Sequence, residues 1–162
     1  MRVCGIDPGA SGAMCVLDSE DPTYTALLDL KKHSVYKATK WLHEKQVDTI
    51  WIENVHSLHG MSAKSNFGFG RNLGIALAIA EIASAGDNIL RVTPKVWQKF
   101  VGVTVKGKAI KKQVSDIAQG LYPTAILHGK LGGLLDGRSD AMCIAHFGIN
   151  NTLQVTGEPI ND

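Results

Sequence analysis

Residues 2–7, RVCGID, alternate around Val3 and Ile6 and predict a strand that ends on Asp7. A Pro-Gly-Ala turn follows, and residues 11–18, SGAMCVLD, predict a second strand. A third is expected within YTALLDL. The period then changes. In VYKATKWLHEKQ, Val35, Ala38, Trp41 and Leu42 recur at helical spacing, and DTIWIEN returns to a short buried strand ending at Glu53. The stretch VHSLHGMSAKSNFGFGRN has no clear period and reads as a loop with room for the first turn of a helix. From about Asn72, LGIALAIAEIASAG is nearly all apolar up to Gly86. It predicts a helix that is buried on most sides or packs against another subunit. NILRVTP predicts a strand stopped by Pro94, and PKVWQKFVG a helix that starts on proline and stops at Gly102. KAIKKQVSDIAQGLYP predicts an amphipathic helix with Ile110, Val114, Ile117, Ala118 and Leu121 on one face. DGRSDAMCIAHFGIN predicts a terminal helix.

The order β-β-β-α-β-α-β-α-α implies one mixed sheet, an α/β fold with helices on the sheet's faces. The 162 residues suffice for one domain with a real core. No repeat or linker divides them, so one domain is expected over 1–150 and a C-terminal tail over 151–162. No apolar run approaches the ~20 residues of a membrane span. MRVCGID enters strand-like sequence directly, with no signal-peptide pattern, so a cytoplasmic location is expected. Cys4, Cys15 and Cys143 lie in apolar stretches without metal spacing and read as reduced, packed thiols. The net charge of +2 says little, but VKGKAIKK gathers Lys106, Lys108, Lys111 and Lys112 with no acid among them. Such a patch is either a solvated helix face or a site for an anionic partner such as nucleic acid.

Four carboxylates stand where structure alone rarely puts them. Asp7 and Glu53 end strands, and Asp136 and Asp140 sit four residues apart at the start of an apolar helix. Each has an ordinary reading: a turn residue, an exposed strand end, an N-cap and a first-turn acid. Together, at one sheet edge, they would repel one another unless something cationic binds there. Hard oxygen ligands in this number suit Mg²⁺ or Mn²⁺, and two such ions serve phosphodiester hydrolysis.

These residues carry a family resemblance. GIDPG-x-x-G at the N-terminus, IEN at residue 53 and DGRSDAMCIA near the C-terminus resemble the RuvC-type Holliday junction resolvases. The compact length and the DGRSDA form look most like the members carried by bacteriophages. The resemblance spans about residues 2–148. It implies an RNase H-like fold with a five-stranded mixed sheet, a homodimer, and Mg²⁺- or Mn²⁺-dependent cleavage of branched DNA with two ions per active site. It implies in-line attack by water and a 5′-phosphate product, in the host cytoplasm if the gene is phage-borne. Asp7 matches the first-strand aspartate, Glu53 the strand-end glutamate and Asp140 the last carboxylate of the C-terminal helix. In bacterial members the remaining ligand usually lies three residues before the last, where this chain has Gly137. Asp136, four before it, keeps a similar helical face and takes that role here.

The loop after Glu53 is then expected to face DNA. Phe67 and Phe69 would stack on unpaired bases or else belong to the core, and Lys64 and Arg71 would contact phosphates. The apolar helix over 73–85 would form the dimer interface. Lys106, Lys108, Lys111 and Lys112 would hold the DNA arms of four-way junctions, forks or flaps. His56, His59 and His128 are read most simply as surface histidines. Two other classes compete. An actin-like or sugar-kinase-type nucleotide-binding domain shares this core, but it needs a duplicated core and only loosely matches Asp7, Gly9 and Gly12. A non-catalytic DNA-binding module would not carry four acids that repel phosphate.

Overall fold

The alternation of residues 2–7 forms a strand whose two faces look into different cores. In the computed structural model, β1 (Arg2–Asp7) sends Val3 to one side of the sheet and Cys4 and Ile6 to the other. The structure describes residues 1–54, 60, 62–84 and 88–155, with backbone only for 153–155. Antiparallel to β1 runs β2 (Ala13–Asp18), which pairs in turn with β3 (Thr25–Asp29). On the other side β4 (Thr49–Glu53) and β5 (Ile89–Val92) continue the sheet in parallel, so the order is β3-β2-β1-β4-β5.

Helices cover both faces. α1 (Val35–Glu44) begins at Ser34, whose hydroxyl accepts the Lys37 N–H at 3.3 Å. Together with α2 (Ala63–Ser84) it covers the face of Cys4, Ile6, Ile50 and Ile52. The opposite face, with Val3, Cys15, Leu17 and Trp51, is covered by α3 (Pro94–Phe100), α4 (Ala109–Leu121) and α5 (Asp136–Val155). The three cysteines are buried free thiols. Among the described residues no helix is long and apolar enough to cross a membrane.

Four expectations change. The stretch read as a loop is helical from Ala63, so Lys64, Phe67, Phe69 and Arg71 all lie on α2. That helix is not buried on most sides of this chain: only Ala76, Ile79 and Ala80 are fully covered, and Ile82 is exposed. On α4 the buried positions are Val114, Ser115 and Ala118, whereas Leu121 is exposed. The terminal helix continues to Val155, past the expected start of the tail at 151. His56, His59, the expected helix stop at Gly86 and residues 156–162 lie outside the described residues.

α5 approaches β1 backbone to backbone. A Cβ on Gly5 would lie 2.2 Å from the Ala141 carbonyl oxygen and 2.4 Å from the Ala145 nitrogen. One on Gly137 would lie 2.0 Å from the Ser11 oxygen, and one on Gly148 2.4 Å from Trp51 Cδ1. The helix thus lays Gly137 on the turn between β1 and β2, and Ala141, Ala145 and Gly148 on the sheet. The strand cannot move away, because its other face is packed in the second core. Gly5→Ala should therefore cost more than the ~1–3 kcal/mol of ordinary overpacking. Urea unfolding reads this as a lower midpoint, and an unchanged midpoint would mean that α5 does not rest on β1.

Candidate active site

Strand alternation aims the first two carboxylates. Asp7 lies on the Val3–Gly5 side of β1, and Glu53 on the Trp51 side of β4, so both face α5. The register pairing Ile6 with Ile52 continues to set Asp7 beside Glu53 at the carboxyl ends of two parallel strands. Because α5 starts over this edge, it delivers Asp136 from its first residue and Asp140 one turn later. The four acids foreseen from the chain are thus brought together by three elements, and their charges act on one another.

Each is held differently. Asp7 is buried, and its Oδ1 accepts the Gly9 N–H at 2.8 Å. Glu53 Oε1 accepts the Trp97 indole N–H at 2.9 Å. Asp136 Oδ1 accepts the Ser11 hydroxyl at 3.0 Å, and its Oδ2 is paired with the Lys111 ammonium. Asp140 has no hydrogen-bond or ion-pair partner among the described residues. Behind it, Arg138 grips Asp29 at the end of β3 through two hydrogen bonds of 2.6 and 3.0 Å, and donates to the Ile126 carbonyl at 2.9 Å. This clamp ties the start of α5 to the far side of the sheet.

Burial first, then repulsion from neighbouring acids, raises three of these groups. Asp7 goes to about 6, with the Gly9 hydrogen bond partly opposing the rise. Glu53 reaches about 7 through burial and the Asp7 charge. Asp140 is pushed to about 8 by burial and the charges of Asp7, Glu53 and Asp136. Asp136 behaves oppositely. Desolvation works against its charge, but the hydrogen bonds from Lys111 and Ser11 outweigh it and hold the group below its ordinary value.

Among the described residues no three His, Cys, Asp or Glu side chains are grouped closely enough to hold a metal ion by themselves. The donor set nevertheless fits Mg²⁺ or Mn²⁺. Such ions bind through one or two carboxylates and take their remaining ligands from water and substrate phosphate, rather than from an all-protein cage. Asp140, half-buried and without a hydrogen-bond partner among the described residues, sits among like charges.

The remaining predicted residues are spread over the surface. Lys64, Phe67 and Arg71 are exposed on the first turns of α2, with Phe67 76% accessible, while Phe69 is partly covered. Lys106, Lys108 and Lys112 are exposed around the start of α4. Lys111 separates from them, because its ammonium turns into the acid cluster. The residues that the chain did not reveal are the supports. Trp97 carries no motif, Arg138 stands within DGRSDA with no role readable from it, and Ser11 looks like any turn serine. Only the tertiary structure places them on Glu53, Asp29 and Asp136.

No family model matches the chain, and no curated protein matches it. Solved structures do. The Thermus thermophilus RuvC structure is 17% identical with a TM-score of 0.65, covering 99% of this chain and 100% of that one. T. thermophilus RuvC in complex with Holliday junction substrate is 15% identical with a TM-score of 0.63, over 99% of both chains. The Fowlpox virus resolvase in complex with Holliday junction DNA is 16% identical with a TM-score of 0.52, over 94% of this chain and 99% of that one. The mixed five-stranded sheet flanked by five helices is the RNase H-like fold of RuvC.

Since Asp7, Glu53 and Asp140 keep protons that the unfolded chain would release, the metal-free native state binds more protons between pH ~4 and ~8. Its stability must fall as pH rises through that window. Denaturant midpoints measured in EDTA should decline from pH 5 to pH 8, and Asp140→Asn should flatten the decline. A wild-type midpoint that rises with pH would contradict the repulsive cluster.

Proposed function

We propose that this protein is a divalent-metal-dependent endonuclease that resolves Holliday junctions and related branched DNA by paired cleavage. The observation that carries the reading is the convergence of Asp7, Glu53, Asp136 and Asp140 at the start of α5, on the fold of RuvC and a viral resolvase whose structures hold Holliday junctions. Without a cation, this edge would repel a phosphate backbone.

Asp7, Glu53 and Asp140 would hold Mg²⁺ or Mn²⁺, with Asp136 contributing from the rim. Two ions per site are expected. Bound there, they would supply the positive charge that admits a phosphodiester and would lower the pKa of water to near neutrality. The chain's own groups do the positioning. The Gly9 N–H fixes the Asp7 carboxylate, and the Trp97 indole fixes one oxygen of Glu53, leaving its other oxygen for the site. Lys111, largely exposed on its solvent side, keeps Asp136 ionised and adds a positive charge where a phosphate oxygen would arrive. Gly9 and Gly12 keep side-chain bulk away from the approach to Asp7.

DNA arms would lie along Lys106, Lys108 and Lys112. Phe67 on the exposed start of α2 is the better placed of the two aromatics to stack on an unpaired base. The α2 face around the exposed Ile82 is the proposed dimer surface, which would set two active sites on two strands. A kinase-like reading finds no support, since the described residues hold one sheet rather than a duplicated core.

The direct test incubates labelled four-way, three-way, Y-shaped and linear duplex DNA with Mg²⁺, Mn²⁺ or EDTA. Symmetric cuts in the four-way junction are expected with either metal and none in EDTA. Asp7→Asn should lower the rate more than about 100-fold, a scale already reached when a ligand's outer partner is lost. It should leave junction binding largely intact. Full cleavage by that variant would defeat the assignment. The triple change of Lys106, Lys108 and Lys112 to Ala should also reduce the slope of log affinity against log salt by about 2–3. An unaltered slope would remove these lysines from the DNA surface.

A further inference from the structure

Between α4 and α5 the chain makes an excursion that the acid cluster does not require. Leu127 is buried, and its carbonyl accepts the Leu135 N–H at 2.9 Å. His128 and Leu134 form an antiparallel bridge, and the Gly129 N–H donates to Gly133 at 2.8 Å. Gly132 closes the turn at φ 78°, a left-handed conformation that favours glycine. The result is a small hairpin whose tip is Leu131, fully exposed at 102% accessibility. Nothing lies within 4 Å of where Cβ atoms on Gly132 or Gly133 would be, so the tip stands free.

The hairpin is rooted in the site. Leu135 immediately precedes Asp136, and Arg138, which clamps Asp29, also holds the carbonyl of Ile126 at the hairpin's base. The five residues from Leu131 to Asp136 reach at most about 18 Å, or about five steps of a DNA strand at ~3.4 Å each. Between Asp116 and Asp136 the chain carries no acid, and Lys130 flanks the tip. An apolar point with a cation beside it, on a braced base next to four carboxylates, suits one occupant.

We infer that the hairpin over 128–134 is a DNA wedge, in which Leu131 inserts at a base step within about five steps of the cleaved phosphate while Lys130 contacts the backbone. This rests on the branched-DNA reading above. Aliphatic wedges of this kind partly unstack a step and bend the duplex, and they act most readily where stacking is already interrupted, as at a branch. Leu131 is thereby a specificity-determining residue for branched over continuous DNA. The full exposure of Leu131 means that its substitution leaves the core intact.

The test places 2-aminopurine at successive steps on both sides of the cleavage site of a four-way junction and binds the full chain in Ca²⁺ instead of Mg²⁺. A fluorescence rise at one step is expected with wild type, and Leu131→Ala should lose most of it. In Mg²⁺, Leu131→Ala should cut the intact junction about tenfold more slowly, the scale of losing a desolvated anchor. Mismatches introduced at that same step should restore its rate. Rescue by mismatches distinguishes a wedge from a merely structural role. The wedge is overturned if Leu131→Ala keeps the fluorescence rise, if mismatches fail to rescue it, or if Leu131→Asp converts a dimer to monomer in light scattering. A wild-type chain that neither binds nor cuts any branched DNA overturns the resolvase reading, and the wedge falls with it. Cleavage by wild type with no effect of Leu131→Ala overturns the wedge alone.

Discussion

The contact on which this structure depends is the backbone-to-backbone approach of α5 to β1 at Gly5. A side chain larger than hydrogen at Gly5 would meet the backbone of Ala141 and Ala145 and lift the helix from the sheet. The lift would be small in ångströms and large in chemistry. Asp136 and Asp140 ride on the first turns of that helix, while Asp7 and Glu53 end the strands below. A shift of about 1 Å is enough to spoil positioned catalytic groups. The small residues of α5 are therefore part of the site's geometry, although Ala141, Ala145 and Gly148 bear no charge that acts in it.

The same closeness makes the site electrostatically expensive. Three carboxylates are pushed above their ordinary range by burial and by each other, while the fourth is held ionised by Lys111 and Ser11. The fold tolerates this because the surrounding structure leaves little room to relax. Two cores grip the sheet from opposite faces, and the Arg138–Asp29 clamp prevents the start of α5 from swinging out. Repulsion that the fold refuses to relieve is available to a cation. This is the physical link between the packing of α5 and the proposed metal-dependent chemistry.

Much of this was legible in the chain, for identifiable reasons. Alternation marked β1, a short β-rich apolar run marked β4 because that strand is buried between two helical layers, and Pro94 marked the start of α3. The start of α2 carries no clear signal in the chain. Gly68, Gly70 and Gly74 lower helix propensity, and Phe67 and Phe69 are spaced by two, which is no helical period. The helix forms there nonetheless, and its later turns pack against α1 and the sheet. In the chain Lys111 is indistinguishable from its neighbours in one basic patch. Helical rotation turns it, and not Lys112, toward Asp136, whereas Lys112 pairs with Asp116 on its own helix.

What the amino-acid sequence determined by itself was local. It set the alternation that aims Asp7 and Glu53 to one side of the sheet, and the four-residue spacing that puts Asp136 and Asp140 on one helix face. Both follow from backbone periodicity, which a residue carries with it wherever the element lands. Tertiary structure alone decided what surrounds those acids: the indole on Glu53, the hydroxyl and ammonium on Asp136, and the guanidinium that braces α5 from β3. Those partners lie 25 to 125 residues away along the chain. No local period encodes such a pairing, because it exists only once the sheet has closed and the helix has settled onto Gly5.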